Sequence, residues 1–212
     1  LERLSLALTG PRQKAHWQTA VTQDSLDFFD LKGIIETLIE TLHIAEFSVE
    51  AVSHPTFRPG RTARLLIGSQ QIGLMGELHP SVVEAFDIRG GHPVLAAELD
   101  LDLLRAHIPD SHYLVPVANY PVVREDLAIV VDRNVPAQKV EDVIRQTGGF
   151  LLKEVTLFDV YEGAQIGSAK KSLAYHLAFQ STSKTLTDND VRKQRQRILQ
   201  QLERLLGAHL RI

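Results

Sequence analysis

The chain has 212 residues, 44% hydrophobic and 23% charged, the composition of an ordinary globular protein with room for two small domains. No apolar run approaches the ~18 residues a membrane span needs, and the absence of cysteine excludes disulfides and thiolate metal sites and fits a reducing compartment. The net charge of −3 is unevenly spread: residues 1–118 hold nine Lys/Arg against fifteen Asp/Glu, and residues 119–212 hold fourteen against eleven, an asymmetry that points the second half towards a polyanion or is ordinary variation.

In chain order, Leu4–Thr9 alternates weakly and ends at Gly10-Pro11, a strand and a turn. Leu31, Ile34, Ile35, Leu38, Ile39 and Leu42 recur on one face of a helix, with Asp27 or Asp30 as its cap. A short strand follows at Phe47–Ser53. Arg64–Ile67 and Ile72–Leu78 form a hairpin around Gly68-Ser-Gln-Gln71. Ser81–Phe86 and Asp102–His107 read as short helices, and Val94–Leu99 as a strand. Hairpin connections make this first sheet mostly antiparallel. Prolines 109, 116 and 121 mark a linker at 111–118 between domains at 1–110 and 119–212.

The second half orders its elements differently. Leu127–Val131 is a strand. Pro136 precedes a helix that buries Val140, Val143 and Ile144 and ends at Gly148-Gly149. Leu152–Tyr161 and Ser172–Gln180 are paired strands. Thr187 and Asp190 form a capping box. The helix behind it presents Val191, Ile198, Leu199, Leu202, Leu205 and Leu206, and a last strand covers Ala208–Ile212. The order βαββαβ is the ferredoxin-like unit, an open sheet backed by two helices. The fold expected is therefore α+β, a mostly antiparallel sheet with helices followed by a ferredoxin-like domain.

Alternation sends Leu173, Tyr175, Leu177 and Phe179 towards the helices and Ser172, Ala174, His176, Ala178 and Gln180 to the open face; Leu127, Ile129 and Val131 point inward, Ala128 and Val130 outward. In the second strand, alternation separates Thr156, Phe158 and Val160 from Val155, Leu157, Asp159 and Tyr161, with the inward set undecided. Asp159 and Tyr161 offer an acceptor and a stacking ring to a base. An open face of this kind is equally a solvated surface or a dimer interface. The aromatic signature of RNA-recognition motifs is missing from the third strand. The basic run Arg192, Lys193, Arg195 and Arg197, with Lys170, Lys171 and Lys184, suits phosphates or is a solvated helix face.

Independent chemistry finds no support. The nine histidines show no zinc spacing, and phosphate-loop, dinucleotide and nucleophile-elbow motifs do not occur. Arg58-Pro-Gly-Arg61 reads as a structural or phosphate-gripping turn. The chain begins with Leu1 and its one methionine is Met75, so a piece of a longer protein is expected.

Several stretches together carry a resemblance. Asp27-Phe-Phe-Asp-Leu-Lys-Gly33, His54-Pro-Thr-Phe-Arg-Pro-Gly-Arg61, Ile72-Gly-Leu-Met-Gly-Glu-Leu-His-Pro80, Tyr120-Pro-Val-Val-Arg-Glu-Asp-Leu-Ala128, Phe158-Asp-Val-Tyr161, Lys171-Ser-Leu-Ala-Tyr175 and Thr185-Leu-Thr-Asp188 stand in this order. Along essentially its whole length the chain resembles the C-terminal part of the bacterial phenylalanyl-tRNA synthetase β subunit. The resemblance implies a non-catalytic, class II synthetase-like module at 1–110, which packs against a catalytic α subunit, and an anticodon-binding domain at 119–212. It implies a share in ATP- and magnesium-dependent phenylalanylation of tRNA(Phe) by a cytoplasmic α₂β₂ assembly. This segment would then hold neither cofactor nor metal and catalyse nothing alone. The positions matching the family's base contacts are Asp159, Tyr161, Ser172 and Ala128. Glu125 departs from the pattern Arg-Asp-Leu-Ala of most relatives. The rivals are a stand-alone ferredoxin-like RNA-binding or regulatory module and the single-chain organellar enzyme, whose catalytic motifs residues 1–110 lack.

Overall fold

The computed structural model describes residues 2–13, 17, 24–111 and 119–211, so all of the expected linker but Ser111 lies outside the described residues. Two compact units, Leu1–Leu114 and Val115–Ile212, divide the chain.

The first unit is built on one antiparallel sheet. Its strands are β1 (Arg3–Thr9), β2 (Phe47–Ala51), β3 (Phe57–Ile67), β4 (Gln70–Leu78) and β5 (Val94–Asp100), in the order β1-β5-β4-β3-β2. Helix α1 (Phe28–Thr41) lays Leu31, Ile35 and Ile39 on the sheet, where they meet Leu65, Ile72, Met75 and Leu99. Burying each such side chain contributes about 1.5–3 kcal/mol. Both expected capping residues serve α1. Asp27 accepts from the backbone N–H groups of Phe29 and Asp30, and Asp30 accepts from that of Asp27. Arg12 grips both carboxylates, at 2.9 and 2.8 Å, and its hydrogen bond holds the Asp30 carboxyl below its usual range. Short helices α2 (Pro80–Ala85) and α3 (Leu101–Ala106) follow β4 and β5. The Arg58-Pro-Gly-Arg61 stretch lies inside β3 at a register shift, not in a free turn. Both arginines reach the buried Glu77, at 2.6 and 3.1 Å. Gly76 fits there because a Cβ would meet the Arg61 carbonyl oxygen at 2.6 Å.

The second unit is the ferredoxin-like sandwich. Strands β6 (Val123–Asp132), β7 (Leu152–Tyr161), β8 (Lys170–Phe179) and β9 (His209–Leu210) form an antiparallel sheet ordered β7-β8-β6-β9. The last strand is shorter than the expected 208–212. Helices α4 (Ala137–Gly148) and α5 (Asp188–Leu206) cover one side. Their Val140, Ile144, Val191, Ile198 and Leu202 pack with Leu127, Ile129, Leu173, Tyr175, Leu177 and Phe179, so the inward sets of β6 and β8 follow alternation. Leu205, expected in the helix's buried stripe, is 54% exposed. Tyr175 is fully buried, which pushes its hydroxyl pKa up, and it donates to the Ala137 carbonyl at 3.2 Å.

The α5 capping box is complete. Thr187 accepts from the Asp190 N–H, and Asp190 accepts from the Thr187 N–H and hydroxyl and from Lys184. These bonds lower the Asp190 carboxyl to about 2. A depressed pKa stabilises the fold above the unfolded carboxylate value near 4, and that contribution is lost as pH falls through the folded value. Asp190→Ala should therefore lower the melting temperature at pH 6, with the gap to the parent closing between pH 4 and about 2. A gap that stays constant across that range would contradict the assignment. Thr187→Ala should cost about 1 kcal/mol in denaturant unfolding.

Candidate nucleic-acid interface

The side of the second sheet not covered by helices is organised by a bulge. From Val155 to Leu157, β7 pairs residue for residue with Leu177 to Tyr175, so Val155 and Leu157 face the core and Thr156 faces out. The register then shifts between Leu157 and Asp159: Asp159 pairs with Ala174 and Tyr161 with Ser172. Phe158 is the extra residue. Its ring stacks on His176, an outward residue of β8, with centroids 3.9 Å apart and planes at 13°. Strict alternation expects Phe158 on the side opposite Asp159 and Tyr161. The bulge instead brings Thr156, Phe158, Asp159 and Tyr161 to one side, with Ser172, Ala174 and His176 of β8 and Ala128 of β6 beside them.

All four expected base-contacting residues thus share one face. Ala128 pairs with Ala174, and Ala174 with Asp159, placing these three in a row across β6, β8 and β7. Tyr161 and Ser172 form the next row. Ser172 is 1% exposed rather than open. Arg211, just beyond β9, crosses this part of the face. Its backbone N–H donates to the Ala128 carbonyl at 3.0 Å and its guanidinium to the Ser172 hydroxyl at 3.5 Å. The guanidinium carbon also lies 4.7 Å from the Tyr161 ring centroid, a cation–π contact. The Tyr161 hydroxyl in turn rests on the Gly163 backbone, where a Cβ would come within 2.3 Å of it. On the neighbouring strands the Asp126 carboxylate accepts from His176 Nδ1 at 2.6 Å.

The expected phosphate-contacting residues divide into two groups. Lys170 lies two positions before Ser172 on the same side of β8, next to the Tyr161 end of β7. Lys171 falls on the helix side of the same strand end. Arg192, Lys193, Arg195 and Arg197 belong to α5, on the far side of the sheet. Lys193 and Arg197 line a pocket of about 350 Å³ with Phe150, Lys184 and Asp190, near the other end of β7. Arg195 is half-buried, and among the described residues its Nε has no hydrogen-bond partner. The basic helix run therefore does not adjoin Tyr161 and Ser172. Among the described residues no three His, Asp or Glu side chains gather as a metal ion would need.

Residue order alone does not point to Arg211, to the Phe158 stack or to the His176–Asp126 pair. Arg211 is 39 residues from Ser172, and nothing local links them. Alternation keeps Phe158 with the outward Thr156, and the residues that the bulge turns to that same side are Asp159 and Tyr161.

Comparison with known proteins is consistent along the chain. Residues 118–211 match the family described as "Ferredoxin-fold anticodon binding domain" and residues 1–101 that described as "Phenylalanyl tRNA synthetase beta chain CLM domain". A phenylalanine–tRNA ligase beta subunit of Clostridium tetani is 44% identical over 189 residues, 88% of this chain and 23% of that protein. One of Bacillus licheniformis is 41% identical over 212 residues, 99% of this chain and 26% of that protein. One of Clostridium acetobutylicum is 39% identical over 188 residues, 88% of this chain and 24% of that protein. The chain spans about a quarter of the length of these relatives.

The bulge has a measurable signature. Leu157→Ala, on the core side, should cost about 2 kcal/mol in urea unfolding, whereas Phe158→Ala, 48% exposed, should cost under about 1 kcal/mol. The reverse ranking would place Phe158 in the core and remove the bulge.

Proposed function

Because the chain belongs to the family of phenylalanine–tRNA ligase beta subunits, we propose that its second unit binds the anticodon region of tRNA(Phe) on the open sheet face. The observation that carries this is the meeting of Asp159, Tyr161, Ser172 and Ala128 on one face through the β7 bulge. Tyr161 supplies a stacking ring, and the Asp159 carboxylate accepts hydrogen bonds from base amino or imino N–H groups. Ala128 and Ala174 keep the floor low enough for a flat base. Arg211 is held over Tyr161 by a long hydrogen bond and one cation–π contact. Such a contact is worth only about 0.5–1 kcal/mol at an exposed site, so an incoming base displaces the guanidinium and gives access to the Ser172 hydroxyl. Lys170 and Lys171, at the Tyr161 end, neutralise phosphates of the bound loop. Arg192, Lys193, Arg195 and Arg197 offer a second basic surface to phosphates farther along the tRNA.

The first unit supports the catalytic α subunit of a cytoplasmic α₂β₂ ligase that consumes ATP with magnesium. Arg58 and Arg61 are engaged with Glu77, and the described residues gather no metal-ligand set. In this reading aminoacylation needs the α subunit, and the pure chain alone is expected to charge no tRNA.

Tyr161→Ala should weaken binding of the tRNA(Phe) anticodon stem-loop by about 1–3 kcal/mol. Asp159→Ala should narrow the gap between the cognate loop and one with a changed anticodon. Both are read by fluorescence titration of the whole chain, and equal losses for the two loops would sink the base-reading role. Lys170→Ala should lower the slope of log affinity against log salt by about 1 while leaving anticodon preference intact. An unchanged slope would exclude Lys170 from phosphate contact.

A further inference from the structure

The open face carries a second aromatic surface that the base-contacting set does not include. Phe158 is 48% exposed, and its ring lies nearly parallel to the His176 imidazole at 3.9 Å. This pair packs into no core: the second unit's buried cluster omits both residues. A half-exposed aromatic ring on a sheet face loses apolar burial that an inward position would give it. The bulge leaves Phe158 half-exposed and stacked on His176.

The pair is held in a fixed orientation. His176 Nδ1 bonds to Asp126 Oδ1 at 2.6 Å, so the Asp126 carboxylate on β6 fixes the imidazole's direction from the neighbouring strand. A carboxylate on Nδ1 favours the proton at that nitrogen and leaves Nε2 as the imidazole's other polar atom. Around the stack the face is low: Ala174 and Ala178 flank His176 on β8, and Ala128 follows Asp126 on β6. Tyr161 stands three residues beyond Phe158 on the same side, roughly 10 Å along the strand. The two rings are close enough for one looped single strand to touch both.

We propose that Phe158 and His176 form a second stacking platform, which takes an unpaired nucleotide of the same RNA loop whose neighbouring base occupies Tyr161. This proposal rests on the anticodon-binding reading of the open face. A planar apolar surface edged by a polar ring nitrogen is the chemistry that unstacked bases meet on RNA-binding sheets. The occupant follows from continuity with the Tyr161 site and from the small residues between the two rings. Asp126 engages His176 and positions it; Phe158 makes the contact.

The test uses the whole chain and tRNA(Phe) anticodon stem-loops carrying 2-aminopurine at one loop position at a time. Binding should quench the probe at two loop positions. Phe158→Ala should weaken stem-loop binding about 5- to 100-fold and relieve quenching at one of them, while Tyr161→Ala relieves it at the other. Phe158→Tyr should retain both affinity and quenching, and His176→Ala should reduce quenching at the Phe158 position alone. If Tyr161→Ala weakens binding and Phe158→Ala does not, or if both relieve quenching at one shared position, the second platform is wrong and the anticodon reading stands. If neither substitution weakens binding, the anticodon reading falls with it.

Discussion

One inserted residue in β7 decides what the second unit shows to solvent. The strand ends Leu157-Phe-Asp-Val-Tyr161, and unbroken alternation would demand a poor choice along it. With Leu157 inside, Asp159 would also point inward, and an unpaired buried carboxylate is costly enough to prevent folding or force its protonation. With Phe158 and Val160 inside, Leu157 would leave the core. The register shift between Leu157 and Asp159 avoids both outcomes. Leu157 stays against the core, Asp159 emerges opposite Ala174, and the surplus Phe158 turns outward onto His176. The cost is a break in the ladder and two half-exposed apolar side chains, Phe158 at 48% and Val160 at 52%.

This exchange separates the two sides of the sheet chemically. The helix side is aliphatic and closed, and the Tyr175 hydroxyl is satisfied by the Ala137 carbonyl. The open side holds short side chains in its centre and rings and charges around them. Arg211 ties three strands of that side together, from the Ala128 carbonyl across Ser172 to the Tyr161 ring. The basic run of α5 is assigned by the same geometry to the opposite side. Any pull of those charges on a ligand of the open face would be long-range, and salt screens such attraction within about 8 Å at physiological strength.

Much of this was legible in residue order. The apolar stripe of α5, its Thr187–Asp190 box and the inward set Leu173, Tyr175, Leu177 and Phe179 all follow from period and capping chemistry. So does the α1 cap at Asp27, although Arg12, which grips it, was silent because the contact joins residues 15 apart. The bulge was not legible, since no glycine or proline marks it in Leu157–Tyr161. Alternation puts Ser172 on the open side, but its cover comes from a distant arginine. The same limit applied to Arg58-Pro-Gly-Arg61: a turn-like tetrapeptide hid a bulged strand whose arginines answer a buried glutamate.

The most direct measurement is a backbone amide shift map of the whole chain titrated with the tRNA(Phe) anticodon stem-loop. A reader formed by the bulge should perturb residues 156–161, 172–176, Ala128 and Arg211 as one contiguous patch, and perturb the 192–197 stretch of α5 only weakly and in a salt-dependent way. Perturbations centred on α5 or on the first unit, with the β7 bulge unmoved, would contradict it.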